Sequence, residues 1–337
     1  MDDEDLKELF GSNEILDIAL SYSRISDYDR NGPRALNTRT EVGGEGVKIG
    51  SITDDWLFDK ENFEDKYFIY EGEKPTATLG KLVDIILKNY NAPPTKDEVL
   101  IIIEANEFWK RSKLETLLTY FDIPEFWEYL EAQYKSRVKN LVTTSELDLG
   151  KELASVLETH SFSKYIFENN NNIERINQYK FEYFYNNIKL RGIIDIVVIN
   201  HTNKTVQLID LKTGQDNAEN FMNSFIKYRY YFQSLIYQNS FDVICKELKL
   251  VDYKLLPFQF LYIGRKQKMP LVYTVTDKWF KGAQFGFKTA GGYTYKGLDV
   301  LLDEIKWHWD NKVFEMTKDI FTNKGNIFLE DQFINVE

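Results

Sequence analysis

Three charged residues fall where a buried strand should carry none. Asp195 interrupts the apolar run IIDIVVI (193–199), and Asp210 and Lys212 close the run LIDLKTG (208–214). An ionised carboxylate inside an apolar strand is costly unless it is paired or binds a cation. Side chains alternate across a strand, so Asp210 and Lys212 point to one face while Ile209 and Leu211 point to the other. The same alternation puts Asp195 on one face with Arg191 and Ile193. A short turn at 201–204 lets the two strands pair and brings Asp195 near Asp210. Two adjoining carboxylates repel and raise each other's pKa. A divalent cation resolves that conflict, and Mg²⁺ fits, since it prefers one or two carboxylates with waters and a phosphate oxygen. An ammonium beside them, Lys212, can orient an attacking water or stabilise charge on a phosphoryl group. The chemistry that follows is water attack on a phosphodiester.

The elements around these residues must place them. YKFEYFYN (179–186), IKLRGIIDIVVIN (188–200) and TVQLIDLKT (205–213) are rich in β-branched and aromatic residues. Asn186-Asn187 and 201–204 separate them as turn signals, which predicts a three-stranded antiparallel meander. A helix is expected over 218–239 and more helix through Leu248. Strands follow at 258–267 and 271–277, then a helix over about 295–319. Upstream, 20–33 reads as a short helix ending at Gly32-Pro33. GGEG (43–46) reads as a loop, and GVKIGSITDDWLF (46–58) as holding a short strand. TLGKLVDIILKNY (78–90) is a helix ended by NAPP (91–94), and 97–167 should be mostly helical, including KLETLLTYF (113–121). ENNNN (168–172) is a loop. The expected fold class is α/β: a mixed central sheet of four or more strands flanked by helices, in a single domain over 1–337, with 97–167 as a helical lobe and 179–277 as the catalytic core.

The 337 residues are 43% hydrophobic, with 21 Tyr and 24 Phe, so the core should be aromatic-rich. No apolar run is long enough for a membrane span, and MDDEDLKELF lacks the basic and apolar regions of a secretory signal. One cysteine, Cys245, makes no internal disulfide and by itself ligates no iron–sulfur cluster. It fits a reducing, cytoplasmic setting and a helical, inert position. The net charge of −11 argues against a protein that coats nucleic acid electrostatically, though not against an enzyme with a local basic groove. Lys227, Arg229, Arg265, Lys266 and Lys268 are candidate phosphate contacts.

Asp195 followed by Asp210-Leu211-Lys212 resembles the signature of the PD-(D/E)XK nucleases, with a restriction-endonuclease-like core. The nearer resemblance is to the RecB/RecE-like branch, which includes phage-type recombination exonucleases. Gln233 and Tyr237 in FQSLIYQ match that branch's Gln-x-x-x-Tyr motif. SYSRIS (21–26) looks like its N-terminal Ser-rich helix, with Ser23 and Arg24 implied to contact DNA or support the site. TLGKLVD looks like its Gly-x-x-x-His helix, with Asp84 where His is usual. LVTTSELDLGKELASVLETH (141–160) resembles the helical stretch before the strands, and Glu182 falls where an upstream glutamate is often found. The resemblance covers about 20–280. It implies Mg²⁺, with Mn²⁺ as a substitute and no iron–sulfur cluster. Asp84, Asp195, Asp210 and the Leu211 carbonyl would ligate the metal, with Asp195, Asp210, Lys212 and Glu182 catalytic. It further implies DNA hydrolysis to 5′-phosphates in recombination or repair, and a single-strand annealing or binding protein as partner.

Simpler roles stand beside several of these. Glu182 reads equally as a solvated strand residue. Asp84 shares a helix face with Gly80, Lys81 and Lys88, as a salt-bridged face would. Gln233 and Tyr237, one turn from Tyr230, also read as a core stripe. Ser21, Ser23 and Arg24 also suit capping or packing of a short helix, and His160 a structural role. The alternatives for the whole chain are an endonuclease of the same fold and an inactive nuclease-fold module for DNA binding or assembly. A ring-shaped homo-oligomer would suit an acidic exterior around a basic channel.

Overall fold

The computed structural model describes residues 19–38, 45–73, 75, 77–109, 124–168, 170–215 and 217–325. They divide into two compact units, one from 1–42 with 156–337 and one from 43–155. KLETLLTYF, Gly43 and Gly44 lie outside the described residues.

The first unit is built on a seven-stranded mixed sheet. Its labelled elements are β1 (Leu20–Ser21), α1 (Tyr22–Asn31), β2 (Ile173–Tyr185), β3 (Ile188–Asn200), β4 (Thr205–Gly214), α2 (Phe221–Lys227), α3 (Tyr230–Gln238), β5 (Gln259–Gly264), β6 (Pro270–Thr274), α4 (Asp277–Phe285) and α5 (Leu298–Asn311). β2, β3 and β4 form the expected antiparallel meander. The Asn186-Asn187 turn works because both residues take positive φ, 47° and 62°, the backbone a tight hairpin needs. β5 then joins β4 in parallel and β6 returns antiparallel.

β2 pairs with β3 along its length, from Ile173↔Asn200 to Tyr185↔Ile188. The other edge of β3 is therefore shared. β4 takes it from Ile196 to Asn200, and the two residues of β1 take it in parallel at Leu190 and Arg191. Residues 192–195 lie in the gap between them. The sequence concealed β1, which is only two residues long and runs directly into α1.

α1 is capped by Ser21, whose hydroxyl accepts from the Arg24 N–H at 3.4 Å. It stops at Gly32, whose φ of 76° turns the chain into Pro33. The predicted 218–239 helix is broken in two. Arg229 sits between α2 and α3 with φ 62°, and its guanidinium pairs with Asp29 of α1 at 2.5 Å. The break frees the Tyr228 carbonyl, which accepts from the hydroxyls of Tyr22 and, at 3.0 Å, Ser26. Two hydroxyls and an ion pair thus replace the helical bonds given up there. Arg229, a candidate phosphate contact, has its guanidinium turned to Asp29 at this joint. The helix expected over about 295–319 starts only at Leu298, because Thr294–Lys296 pairs as a strand with Gly286–Lys288; it ends at Asn311, where Lys312 turns left-handed with φ 56°, and a short helix, Lys318–Thr322, follows. The core of this unit is aromatic, with Phe221, Phe258, Phe260, Tyr231 and Tyr262 packed among Leu190, Ile194 and Leu208.

The second unit is mostly helical, with one short parallel pair, Tyr67–Ile69 against Asn140–Val142. Leu82, Val83 and Ile86 of helix Ala77–Asn89 pack with Val99, Ile102 and Ile103 of Lys96–Ala105 and with Phe126, Tyr129 and Leu130 of Pro124–Lys135. A capping box between Thr95 and Glu98 opens the Lys96–Ala105 helix. The expected strand in 46–58 is instead an α-helix, Glu45–Phe58. Its β-branched Ile49, Ile52 and Thr53 are buried at helical spacing, which overrides their strand preference. Ile52 also packs onto Gly150, where an added Cβ would lie 2.3 Å from it. No helix among the described residues is long and apolar enough to cross a membrane.

Candidate active site

The regular ladder between β3 and β4 ends at Ile196↔Ile209. One residue further, Asp195 and Asp210 face each other, and the strands part. The Asp195 carboxylate takes over the bonding that the ladder gives up: its Oδ2 accepts from the Leu211 backbone N–H at 2.7 Å. Its Oδ1 accepts from the Gln178 side-chain amide of β2 at 3.0 Å.

Strand alternation slips at this point. Before it, the even residues Leu190 and Ile194 of β3 join the main core, and a Cβ on Gly192 would lie 2.7 Å from Tyr237 of α3. After it, the odd residues Val197 and Ile199 join the same core. β2 slips with it: Tyr179, Phe181, Tyr183 and Tyr185 pack on the core on one side of Gln178, and Ile176 on the other. The register count is preserved, since Asn177↔Ile196 and Tyr179↔Ile194 flank the slip. Gln178 absorbs it with a left-handed backbone, φ 52°. Asp195 therefore shares its face with Val197 and Ile199. The expectation that it would align with Arg191 and Ile193 fails because strict alternation does not survive a left-handed residue in the partner strand.

Asp210 is only 2% exposed. Its Oδ1 accepts from the Gln233 amide of α3 at 2.7 Å, and it is ion-paired with Lys212 two residues on. The Lys212 ammonium lies 4.9 Å over the Tyr230 ring, and Tyr230 in turn packs against Tyr22 at 6.2 Å. Burial pushes the Asp210 carboxyl up to about 7; Lys212 opposes the rise and the Asp195 charge adds to it. Burial likewise raises Asp195, against Lys212 and the Leu211 N–H. Burial works against the Lys212 charge, yet Asp210, Tyr230 and Asp195 hold its pKa well above the ordinary lysine value. Both carboxyls thus hold a proton more readily than free carboxyls do, with one cation beside them.

Tyr237 stands one turn from Gln233, edge-on to Phe181 at 5.2 Å and over Gly192. A Cβ at Gly192 would come within 2.6 Å of Phe181. Gly192→Ala is expected to destabilise the fold by about 2 kcal/mol through overpacking, measurable as a lower denaturant midpoint at unchanged slope.

The other candidates of the first unit have their own local partners. Glu182 is half-exposed, ion-paired with Lys189 at 2.6 Å and in register with Arg191, so it is not drawn to the carboxylate pair. Asp84 belongs to the second unit and is exposed on its helix. Ser23 bonds Ser21 at 2.8 Å, and Arg24 reaches the carbonyls of Ala35 and Thr38, bracing the turn after α1. His160 accepts from the Phe162 N–H at 3.2 Å, a local structural role. Cys245 is a half-buried free thiol. The sequence reading missed Gln178, for which a polar residue within a strand was the only signal, and Tyr22.

Among the described residues, no group of three or more His, Cys, Asp or Glu side chains gathers. The donor set here is two hard carboxylates, and the Asp195 charge adds to the raised proton affinity of Asp210. That set suits a small divalent cation that keeps most of its waters, and a bound cation would relieve the repulsion.

No curated protein matches the chain. Among solved structures, a candidate exonuclease from Eubacterium rectale aligns over 96% of this chain and 93% of its own, with 12% identity and a TM-score of 0.46. The sequence profile of the PD-(D/E)XK nuclease superfamily matches residues 61–260, a span that contains Asp195, Asp210 and Lys212. With the match covering more than half of its length, the chain belongs to the PD-(D/E)XK nuclease superfamily.

Proposed function

We propose that this protein is a Mg²⁺-dependent deoxyribonuclease, an exonuclease of the RecB/RecE-like branch acting in phage-type recombination or repair. One observation carries the reading. Asp195 and Asp210 meet where β3 and β4 part, with Lys212 paired to Asp210 and Gln233 bonded to it. Asp195 and Asp210 would hold the cation, which when bound supplies charge stabilisation at the phosphate and a more acidic attacking water. Lys212 orients the nucleophile and offsets charge developing on the phosphoryl oxygens. Gln233 holds the Asp210 carboxylate at one angle, and Tyr237 fixes the helix that carries Gln233. All 337 residues work as one nuclease, with 179–277 as its catalytic core.

The deciding experiment is digestion of end-labelled linear and closed-circular duplex DNA with Mg²⁺ or Mn²⁺. Loss of label from linear DNA with the circle intact is the expected result. Cutting of the circle would make the protein an endonuclease of the same fold. No cleavage with either metal would defeat the enzyme reading.

A further inference from the structure

The geometry points to Gln178 as a positioning residue that sets the angle of the Asp195 carboxylate for metal binding. This rests on the metal site proposed above. Gln178 sits opposite Asp195 in the long β2–β3 ladder, in a left-handed backbone, φ 52°. A non-glycine residue in that region is strained, and it persists only where its surroundings enforce it. Asn186-Asn187 are left-handed because a hairpin turn demands it. Gln178 has no turn to make, since the strand continues on both sides.

What the strain achieves is visible in the side chains. The slip in alternation turns Asp195 toward Asp210 and leaves Gln178 beside it, amide to Oδ1. The Leu211 N–H holds Oδ2. Both oxygens of Asp195 therefore have fixed donors, one from each neighbouring strand, and the carboxylate cannot rotate freely. Asp210 is held the same way by Gln233 and Lys212. Each carboxylate of the pair thus has its own glutamine amide. Gln178 is exposed and outside the core, so replacing it costs little packing.

The test separates the amide from the backbone. Gln178→Gly removes the amide and relieves the strained φ, while Gln178→Ala removes the amide alone. Mn²⁺ binding to the DNA-free full-length protein is measured by titration calorimetry, together with Tm, kcat and KM for linear duplex. Both variants are expected to bind Mn²⁺ about 10- to 100-fold more weakly, the usual effect of losing a hydrogen bond to a metal ligand. Gln178→Gly should do so without a fall in Tm, and kcat should drop with KM for DNA little changed. Wild-type Mn²⁺ affinity in Gln178→Gly overturns the assignment, because the backbone and not the amide would then matter. Asp195→Asn is the control. If it binds Mn²⁺ like the wild type, the metal site itself falls and Gln178 with it. If it loses binding while the Gln178 variants keep theirs, only the Gln178 assignment falls.

Discussion

Replacing Lys212 by alanine is expected to lower kcat for DNA hydrolysis by about 10²- to 10³-fold, the cost of removing one preorganised charge from a transition state. The ammonium is held on two sides, ion-paired to Asp210 and lying over the Tyr230 ring. Its position is thus fixed before substrate arrives, and little reorganisation is left for the reaction. The substitution also removes the cation that opposes the rise of the Asp210 pKa, already at about 7. The Asp210 carboxyl then titrates higher, and the acidic limb of the kcat/KM profile moves to higher pH. A Lys212→Ala variant with wild-type rate and an unmoved pH profile would remove Lys212 from the chemistry. Lys212→Arg is a useful companion, because it keeps the charge but changes its shape and reach.

Asp195→Asn should move activity and stability in opposite directions. Activity is expected to fall by at least about 10²-fold, since the change removes a proposed metal ligand. Metal-free stability at pH 8 should instead rise, because the neutral amide is spared the burial cost of the charge. The sign follows from linkage. The folded-state pKa of Asp195 is raised, so the folded protein binds this proton more tightly than the unfolded chain does. Stability from this group is then complete below the unfolded carboxylate pKa and declines as pH rises through the folded value. Asparagine is neutral throughout, so its advantage appears at high pH and fades as pH falls. Mg²⁺ should stabilise the wild type, by about 2.7 kcal/mol at a hundredfold excess over Kd, and leave the variant nearly unaffected. Thermal melts at pH 5 and pH 8, with and without Mg²⁺, measure all of this. A variant less stable than wild type at pH 8 without metal would contradict the account.

The meeting of the charged residues was easier to read from the sequence than the backbone that arranges it. Charged residues in apolar strands are conspicuous, and a short turn between two such strands leaves few ways to pair them. Asp195, Asp210 and Lys212 were legible for that reason, as was the meander with its Asn-Asn turn. The Gln–Tyr helix could be read both as motif and as core, and the structure gives Gln233 its partner in Asp210. What escaped depends on contacts distant in sequence. Nothing in RINQYKF marks Gln178 as left-handed, because that conformation shows only where β2 meets Asp195 of β3. The break at Arg229 depends on Asp29, Tyr22 and Ser26, about two hundred positions upstream in the chain. The helix at Glu45–Phe58 was hidden by β-branched residues whose burial, not their propensity, decided the outcome.

The sharing of one β3 edge by β1 and β4 bears on the order in which the enzyme is made. Leu20 and Ser21 leave the ribosome early, but their strand partners Leu190 and Arg191 are synthesised only after the whole of the second unit. β1 therefore stays unpaired until β3 has been made. Contacts so distant along the chain close slowly. Because α1 follows β1 directly and its Tyr22 and Ser26 clamp the joint before α3, the surroundings of Lys212 are complete only with this early piece in place. Residues from the start of the chain thus finish the setting of a lysine that is made far later.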